Sequence, residues 1–210
     1  MTLAIYGTGG HAKSIFDIVK KKKTLFFDQK ENTFFKVNKK IFKIIGDHKQ
    51  MENFKKKISS VIVAIGNNKT REYYFNFFKR KKFKFAKLIH PKSYTSIGVR
   101  VGEGSIIMQG CMINTETVIG KNCIINTNAS IDHDCLIRDH SHICPGVTVA
   151  GNVKIGKNCW IGLGSKIIEN CIIGNNVFVA AGTVVTKNIK SNSFVKGIPA
   201  KYARKKLAKF

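Results

Sequence analysis

A β-branched aliphatic residue recurs at every sixth position through the C-terminal half of the chain. The fifteen positions from Val101 to Val185 hold only isoleucine or valine, without a miss. A small or slim residue, such as Ser105 or Cys111, stands four positions after each of the first fourteen. A fixed period of six residues is typical of a parallel β-helix, a solenoid whose turns stack on one another. Because three hexads make one triangular coil, we predict five coils with the aliphatic stripe inside.

The residues beside the stripe predict how each coil bends. The small residue should lie where the walls of the coil crowd together. Glycine follows several stripe residues, as at Gly102, Gly120 and Gly156. Since glycine adopts positive φ at no steric cost, we expect these glycines to form the tight turns.

Before residue 90 the pattern changes to short apolar runs that alternate with helical periodicity. Residues 3–7, the run ending at Asp28 and residues 61–66 read as strands, and residues 12–22 and 69–82 read as helices. Strands alternating with helices predict a small parallel sheet of Rossmann-like type. The composition shifts at His90-Pro91, so we expect an α/β domain over residues 1–90 and the β-helix over residues 91–210.

The chain carries a formal charge of +25, which first suggests a nucleic-acid partner. Only five of the 37 basic residues are arginine, and no stripe of arginines interleaved with aromatic residues is present. Compositional drift, attraction of a small phosphorylated substrate and nucleic-acid binding all remain open as explanations. We favour drift and expect no nucleic-acid partner.

Five of the six cysteines occupy the small slot of the hexad, and Cys144 follows a stripe residue. There is no CxxC pair and no zinc-ligand spacing. Buried thiols that act as small hydrophobes suit a reducing compartment. The N-terminal sequence MTLAIYGTGG resembles neither a signal peptide nor a membrane anchor. We therefore expect a cytoplasmic protein without membrane insertion.

A glycine-rich turn, G-T-G-G-H-A, follows the first strand and nearly matches the dinucleotide fingerprint. Backbone without side chains beside a helix N-terminus attracts phosphate. Asp28 ends the second strand, where such folds place a ribose-binding acid, and Gly66 ends another strand in the same crevice. A nucleotide or nucleotide-sugar pocket is the favoured interpretation, with a structural turn and an NAD site as alternatives. His11 would bind phosphate there or cap the helix.

Three of the six histidines, His133, His140 and His142, fall within ten residues of one another. The stripe places Ile131 inside, so His133 should point outward, where Asp132 and Asp134 flank it. A carboxylate beside an imidazole orients the ring and raises its basicity, which suggests an acid–base site. A metal site and ordinary solvated polar residues are the alternatives, and we assign His140 to the solvated class.

Four segments together carry a family resemblance: the hexads with IDHDC and SHICPGVTVAGNVKIGKNCWIG, the opening GTGGHAK, and the ending FVKGIPAK. They resemble the left-handed β-helix sugar acyltransferases of the sialic-acid O-acetyltransferase type. Within that group the chain is most similar to bacterial N-acetyltransferases that act on UDP-4-amino-sugars, as in the UDP-N-acetylbacillosamine pathway. The resemblance covers essentially the whole chain. Left-handedness is implied by it, since parallel crossovers are right-handed by default.

The resemblance also implies a role for individual residues. His133 matches the general base and Asp134 the carboxylate that orients it, with Asp132 as a second candidate for that role. The residues matching the acetyl-CoA site are His142, Gly151, Leu163 and Ala181. The residues matching the nucleotide-sugar pocket are Gly9, Gly10, His11, Asp28, Gln29 and Gly66. Acetyl-CoA would be the co-substrate, no metal would be required, and the family implies a homotrimer with active sites between neighbouring prisms.

On this resemblance we predict direct acetyl transfer from acetyl-CoA to the amine of a UDP-linked 4-amino-sugar, with His133 as the base. An O-acetyltransferase acting on a sialic-acid-like sugar is the alternative within the same fold. A non-catalytic or metal-binding β-helix, of the γ-carbonic-anhydrase kind, is the alternative outside this class.

Overall fold

In a computed structural model, the structure describes residues 1–20, 22–29 and 34–203. The chain divides into two compact units, Met1–Leu88 and Ile89–Phe210. The first unit is a small α/β domain and the second is a parallel β-helix. No helix within the described ranges is long and apolar enough to cross a membrane.

The first unit is built on a sheet of three parallel strands, in the spatial order Lys23–Phe27, Thr2–Tyr6 and Ser60–Val63. Its elements are β1 (Thr2–Tyr6), α1 (Gly10–Ser14), α2 (Phe16–Val19), β2 (Lys23–Phe27), β3 (Phe34–Val37), β4 (Lys40–Lys43), a 3-10 helix (Gln50–Lys57), β5 (Ser60–Val63) and α3 (Asn68–Arg80). The central strand β1 pairs along its length with β2 and over four residues with β5. Leu3, Ala4, Ile5 and Tyr6 are consequently all buried, as in the middle strand of a covered parallel sheet.

Two features of this unit differ from the sequence prediction. The helix predicted over residues 12–22 is two short helices that meet at Ile15. The hairpin of β3 and β4 was not predicted. Its turn contains no glycine, and lysines in both strands obscure the alternation of apolar and polar residues. Asn38 and Lys39 both adopt positive φ, as a two-residue hairpin turn requires. The hairpin supplies Phe35 and Phe42, which pack against the buried ring of Phe26 on β2.

The second unit is a β-helix with three walls, each of them a sheet in which strands of successive coils pair in parallel. The six-stranded wall contains Tyr94–Thr95, Met112–Ile113, Ser130–Ile131, Thr148–Val149, Lys166–Ile167 and Val184–Val185. The five-stranded wall contains Arg100–Val101, Val118–Ile119, Leu136–Ile137, Lys154–Ile155 and Ile172–Ile173. The eight-stranded wall contains Leu88–Ile89, Ile106–Ile107, Ile124–Ile125, His142–Ile143, Trp160–Ile161, Phe178–Val179, Phe194–Lys196 and Lys201–Tyr202, the last pairing antiparallel with its neighbour.

The aliphatic stripe fills the interior, as predicted. Every stripe residue from Ile107 to Val185 is at most 2% exposed, and residues 18 apart pair between coils, such as Ile113 with Ile131. The prediction of five coils is too low, because one wall alone contains six strands. The coil continues beyond Val185, since Ile173 forms a parallel bridge with Ile189. These two residues are 16 apart instead of 18, so the exact six-residue period ends here while the β-helix continues.

The prediction for the turn glycines is wrong. Gly102 and Gly120, which follow stripe residues, do not adopt positive φ. Glycine is needed at Gly102 because a Cβ there would lie 2.5 Å from the carbonyl oxygen of Gly120 on the next coil. Positive φ falls instead on the third residue after each stripe position from Val101 to Val179: Gly104, Gly110, Glu116, Asn122, Asn128, Asp134, His140, Gly146, Asn152, Asn158, Gly164, Asn170, Asn176 and Gly182. Glycine, Asn and Asp dominate this series because they tolerate the left-handed region best.

Candidate active site

His133 lies on an exposed turn between the strands Ser130–Ile131 and Leu136–Ile137. Its Nδ1 lies 2.7 Å from Oδ2 of Asp134, and both side chains are more than half exposed. Asp134 has φ 57, so its carboxylate reaches the neighbouring ring from a left-handed turn position. Because a carboxylate can only accept, Nδ1 carries the proton and the lone pair is on Nε2. The ring is therefore oriented as a base directed through Nε2.

The two carboxylates beside His133 have different partners. Oδ1 of Asp132 accepts from the backbone N–H of His133 at 2.8 Å and from Nδ2 of Asn114 at 2.7 Å. Asp132 thus supports the backbone of the turn, whereas Asp134 contacts the imidazole. The hydrogen bond from Asn114 holds the pKa of Asp132 below its usual value. The hydrogen bond to Asp134 raises the pKa of His133 above its usual value, and the charges of both aspartates act in the same direction.

Gly151 lies directly beneath the imidazole. A Cβ at this position would be 2.7 Å from both Cε1 and Nε2 of His133. Gly151 follows Val149 on the six-stranded wall, just as His133 follows Ile131 on the coil before it. A side chain at this position would therefore displace the imidazole, whereas glycine leaves room for the Nε2 edge of the ring beside the backbone.

His142, Leu163 and Ala181 belong to a different corner of the coil. His142 is on a strand of the eight-stranded wall and is only 5% exposed. Its Nε2 lies 3.1 Å from Nδ2 of Asn126, and its ring packs edge-on against Trp160. Leu163 and Ala181 follow strands of the same wall, both are exposed, and the N–H of Gly182 donates to the carbonyl of Leu163 at 2.8 Å. Within one chain, the residues predicted to bind acetyl-CoA therefore divide between two corners.

His140 does not belong to the solvated class, so that prediction is wrong. It is 8% exposed, and its Nδ1 lies 2.8 Å from Nδ2 of the buried Asn122 one coil earlier. His140 occupies a turn position with positive φ, and the six-residue period does not show that its side chain is buried there. Within residues 1–20, 22–29 and 34–203, no group of three or more His, Cys, Asp or Glu side chains is arranged to hold a metal ion.

A second candidate site is the cavity at the C-terminal ends of β1, β2 and β5, with a volume of about 300 Å³. All six residues predicted for the nucleotide-sugar pocket line it: Gly9, Gly10, His11, Asp28, Gln29 and Gly66. The sequence prediction missed other lining residues, among them Thr8, Thr70 and Tyr74. A Cβ at Gly9, Gly10 or Gly66 would meet no atom within 4 Å, so open space lies over each of them.

Hydrogen bonds hold the two polar side chains of this pocket in place. Oδ2 of Asp28 accepts from the backbone N–H of Thr8 at 2.8 Å and from its hydroxyl at 2.6 Å. Nε2 of Gln29 donates to the hydroxyl of Tyr74. Burial and, to a smaller extent, the nearby positive charge of Arg71 together lower the pKa of His11 to about 4. His11 is therefore a neutral imidazole at physiological pH.

The chain is similar to known proteins over nearly its full length. The family described as PglD N-terminal domain matches residues 2–78, and the bacterial transferase hexapeptide (six repeats) matches residues 116–151 and 152–187. A search of the curated proteins finds no match.

Three solved structures illustrate the similarity. Perosamine N-acetyltransferase from Caulobacter crescentus, solved with CoA and GDP-perosamine, is 30% identical over 97% of each chain, with a TM-score of 0.92. The acetyltransferase domain of PglB from Neisseria gonorrhoeae is 31% identical over 96% of this chain and 99% of that one, with a TM-score of 0.88. WeeI from Acinetobacter baumannii, at 24% identity, 97% and 100% coverage and a TM-score of 0.87, shows the fold alone.

These matches confirm the predicted family and the predicted fold class, which is an α/β domain of the PglD N-terminal type followed by a left-handed parallel β-helix. Together with the stripe and the pocket in the first unit, they lead to one identification. The chain belongs to the left-handed β-helix, hexapeptide-repeat family of acetyl-CoA-dependent sugar acetyltransferases.

Proposed function

We propose that this protein transfers the acetyl group of acetyl-CoA to the amine of a nucleotide-linked amino sugar, a UDP-linked 4-amino-sugar being the expected acceptor. The observation that carries the proposal is the His133–Asp134 pair, which presents an outward base over Gly151. The cavity with Gly9, Gly10 and Asp28 supports a nucleotide on the acceptor. The N-acetyltransferase from Caulobacter crescentus, solved with a GDP-linked sugar, supports the same class of acceptor.

In this proposal His133 acts as the general base. Nε2 takes a proton from the sugar amine as its nitrogen attacks the thioester carbon, and Asp134 stabilises the imidazolium that forms. A new C–N bond forms, the C–S bond breaks, and the CoA thiolate takes up the proton from His133. The backbone N–H of Gly151 would stabilise the negative charge on the carbonyl oxygen. No covalent acyl-enzyme is needed, because the amine attacks directly.

We further propose that the active site forms between copies of the chain, in a homotrimer. His133 and Gly151 occupy one corner of the coil, whereas Leu163 and Ala181 occupy another. A single acetyl-CoA reaching both sets is most simply placed between the first corner of one copy and the second corner of its neighbour.

The six buried free thiols support a reducing compartment, the cytosol.

The test is an acceptor screen that measures release of CoA thiol and the mass of the product. UDP-linked 4-amino-sugars, GDP-linked amino sugars, CMP-sialic acid and free sialic acid are each supplied with acetyl-CoA. Acetylation of the amine of a nucleotide-linked sugar is expected, with the UDP-linked acceptors turned over fastest. Faster turnover of the GDP-linked acceptors would replace UDP with GDP in the proposal. Acetylation of sialic-acid hydroxyl groups alone would favour the O-acetyltransferase, and no transfer to any acceptor would contradict the proposal.

A further inference from the structure

Arg71 is a fully buried arginine in the first unit. It is 0% exposed and is one of the largest side chains removed from solvent in the described part of the chain. It lies in the first turn of α3, where the helix dipole disfavours a cation. Burying a charge is also costly unless hydrogen bonds satisfy it. The position of Arg71 therefore does not stabilise the helix α3. Its hydrogen bonds show which part of the chain it stabilises instead.

The guanidinium holds the backbone segment between β5 and α3. One of its nitrogens, Nη1, donates to the carbonyl of Ile65 at 3.1 Å and to that of Gly66 at 2.8 Å. The other, Nη2, donates to Oδ1 of Asn68 at 2.9 Å. Ile65 and Gly66 both line the pocket, so Arg71 fixes one of its walls from behind.

The direction of these bonds has a consequence for the pocket. In a trans peptide the C=O and N–H groups point in opposite directions. Since the carbonyls of Ile65 and Gly66 point to Arg71, the N–H groups of the peptides they belong to, those of Gly66 and Asn67, point away from it. Arg71 does not line the pocket itself, so both carbonyl oxygens are bound by a cation outside the lining, and open space lies over Gly66 on the pocket wall. Carbonyl oxygens held in this way repel an incoming phosphate less than unbound ones would.

The charge of Arg71 also reaches the pocket. After burial, which is the larger cause, it lowers the pKa of His11, another residue that lines the pocket. Arg71 is therefore a fixed positive charge next to Gly66, whose backbone faces open space in the pocket. The carboxylate of Asp28 in the same pocket is held by Thr8.

We propose that Arg71 is the positioning residue for the phosphates of the acceptor nucleotide. It orients the Ile65–Gly66 wall through two carbonyl hydrogen bonds, and its buried charge favours a diphosphate over less charged ligands. The inference rests on the proposed nucleotide-sugar function and deepens it, because it assigns the phosphate side of the pocket to a residue that does not touch the ligand.

The experiment is calorimetric binding of UDP, GDP, UMP and GMP to the full chain and to Arg71→Met and Arg71→Lys. For Arg71→Met we expect the Kd of the preferred diphosphate to rise by about tenfold or more, on the scale of hydrogen bonds to charged groups. The Kd of the matching monophosphate should rise less, so that the preference for diphosphate falls. Arg71→Lys keeps the positive charge but cannot bind Ile65, Gly66 and Asn68 through two separate nitrogens, so its affinity should lie between those of Arg71→Met and the original chain.

A control and a kinetic readout separate this role from a merely structural one. Lys69→Met removes an exposed charge from the same helix and should leave every Kd within about twofold of the original value. In Arg71→Met the KM for the nucleotide sugar should rise, while kcat and the KM for acetyl-CoA should stay unchanged. Equal loss of affinity for mono- and diphosphates, no loss at all, or failure of both Arg71 variants to fold would each overturn the inference.

The outcome also distinguishes this inference from the proposed function. If the unaltered chain binds UDP or GDP through Arg71 but acetylates no sugar, the proposed function fails and the role of Arg71 stands. If the chain acetylates nucleotide-linked sugars and Arg71→Met does so with an unchanged KM, only the role of Arg71 fails.

Discussion

In the β-helix, the candidate catalytic pair of His133 and Asp134 lies on one exposed turn, two adjacent residues on a repeating frame. In the first unit, the pocket draws side chains and backbone from the C-terminal ends of β1, β2 and β5 and from α3, and it is supported by a fully buried arginine. The β-helix leaves its turns available for chemistry because packing is done by the stripe. The α/β unit has no such division, so one buried residue there serves both packing and the pocket. The following substitutions test this contrast, from the largest expected effect to the smallest.

The stripe should control stability and nothing else. Ile137→Ala empties a fully buried interior position and should lower the free energy of unfolding by about 2–5 kcal/mol. Ile172→Ala is the matched control in the same five-stranded wall, where the side chain points outward and is 49% exposed, and its effect should stay below about 1 kcal/mol. Denaturant titration measures both, and equal losses would show that the stripe does not form the core.

Gly151 should matter for the position of His133 rather than for stability. In Gly151→Ala the added methyl group would meet the imidazole, which must then move from its place over the backbone. Displacing a catalytic group by about 1 Å can reduce turnover roughly a hundredfold. Stopped-flow or steady-state kcat measures the loss, and the double variant with His133→Ala should be no slower than His133→Ala alone. An additive loss would show that Gly151 acts independently of His133.

Asp134 should set the pH at which the enzyme works. The base must be unprotonated, so turnover rises with pH through the pKa of His133, which Asp134 holds above its usual value of 6.5. Asp134→Asn removes the main cause, so the acidic limb of the pH–rate profile should move to lower pH. The plateau should fall by about fivefold, the scale of an exposed charged pair.

The control for this prediction is Asp132→Asn, whose amide oxygen can still accept from the backbone N–H of His133. It should move the acidic limb less than Asp134→Asn does. A larger shift in Asp132→Asn would mean that Asp132, rather than Asp134, governs the imidazole.

What the sequence could predict follows the same contrast between the two units. In the β-helix, period six alone placed Ile131 inside and His133 outside, because each position repeats the environment of the one six residues before it. The choice between Asp132 and Asp134 needed backbone geometry: positive φ at Asp134 turns its carboxylate towards the ring. The contact of His140 with Asn122, 18 residues earlier, becomes visible in the sequence only once coils are aligned at that spacing.

In the first unit the glycine-rich turn and Asp28 were identifiable from local motifs, whereas Arg71 was not. Its partners Ile65 and Gly66 lie six and five residues away, and no pattern of residue types indicates that a basic residue in the first turn of a helix will be buried. The hairpin of β3 and β4 could not be predicted for a related reason. Its lysine-rich turn lacks glycine, and the hairpin is held by packing of Phe35 and Phe42 on Phe26. Tertiary contacts determine both features, and composition conceals them.

Acetyl transfer by His133→Ala tests the central claim most directly. The variant should bind UDP or GDP and acetyl-CoA with unchanged Kd and keep the circular dichroism of the original chain, because His133 is exposed and packs no core. With a nucleotide-linked amino sugar at saturation, kcat should fall by about 10²–10⁴-fold, the scale for loss of a general base. Turnover within about threefold of the original enzyme would contradict the assignment of His133 as the base.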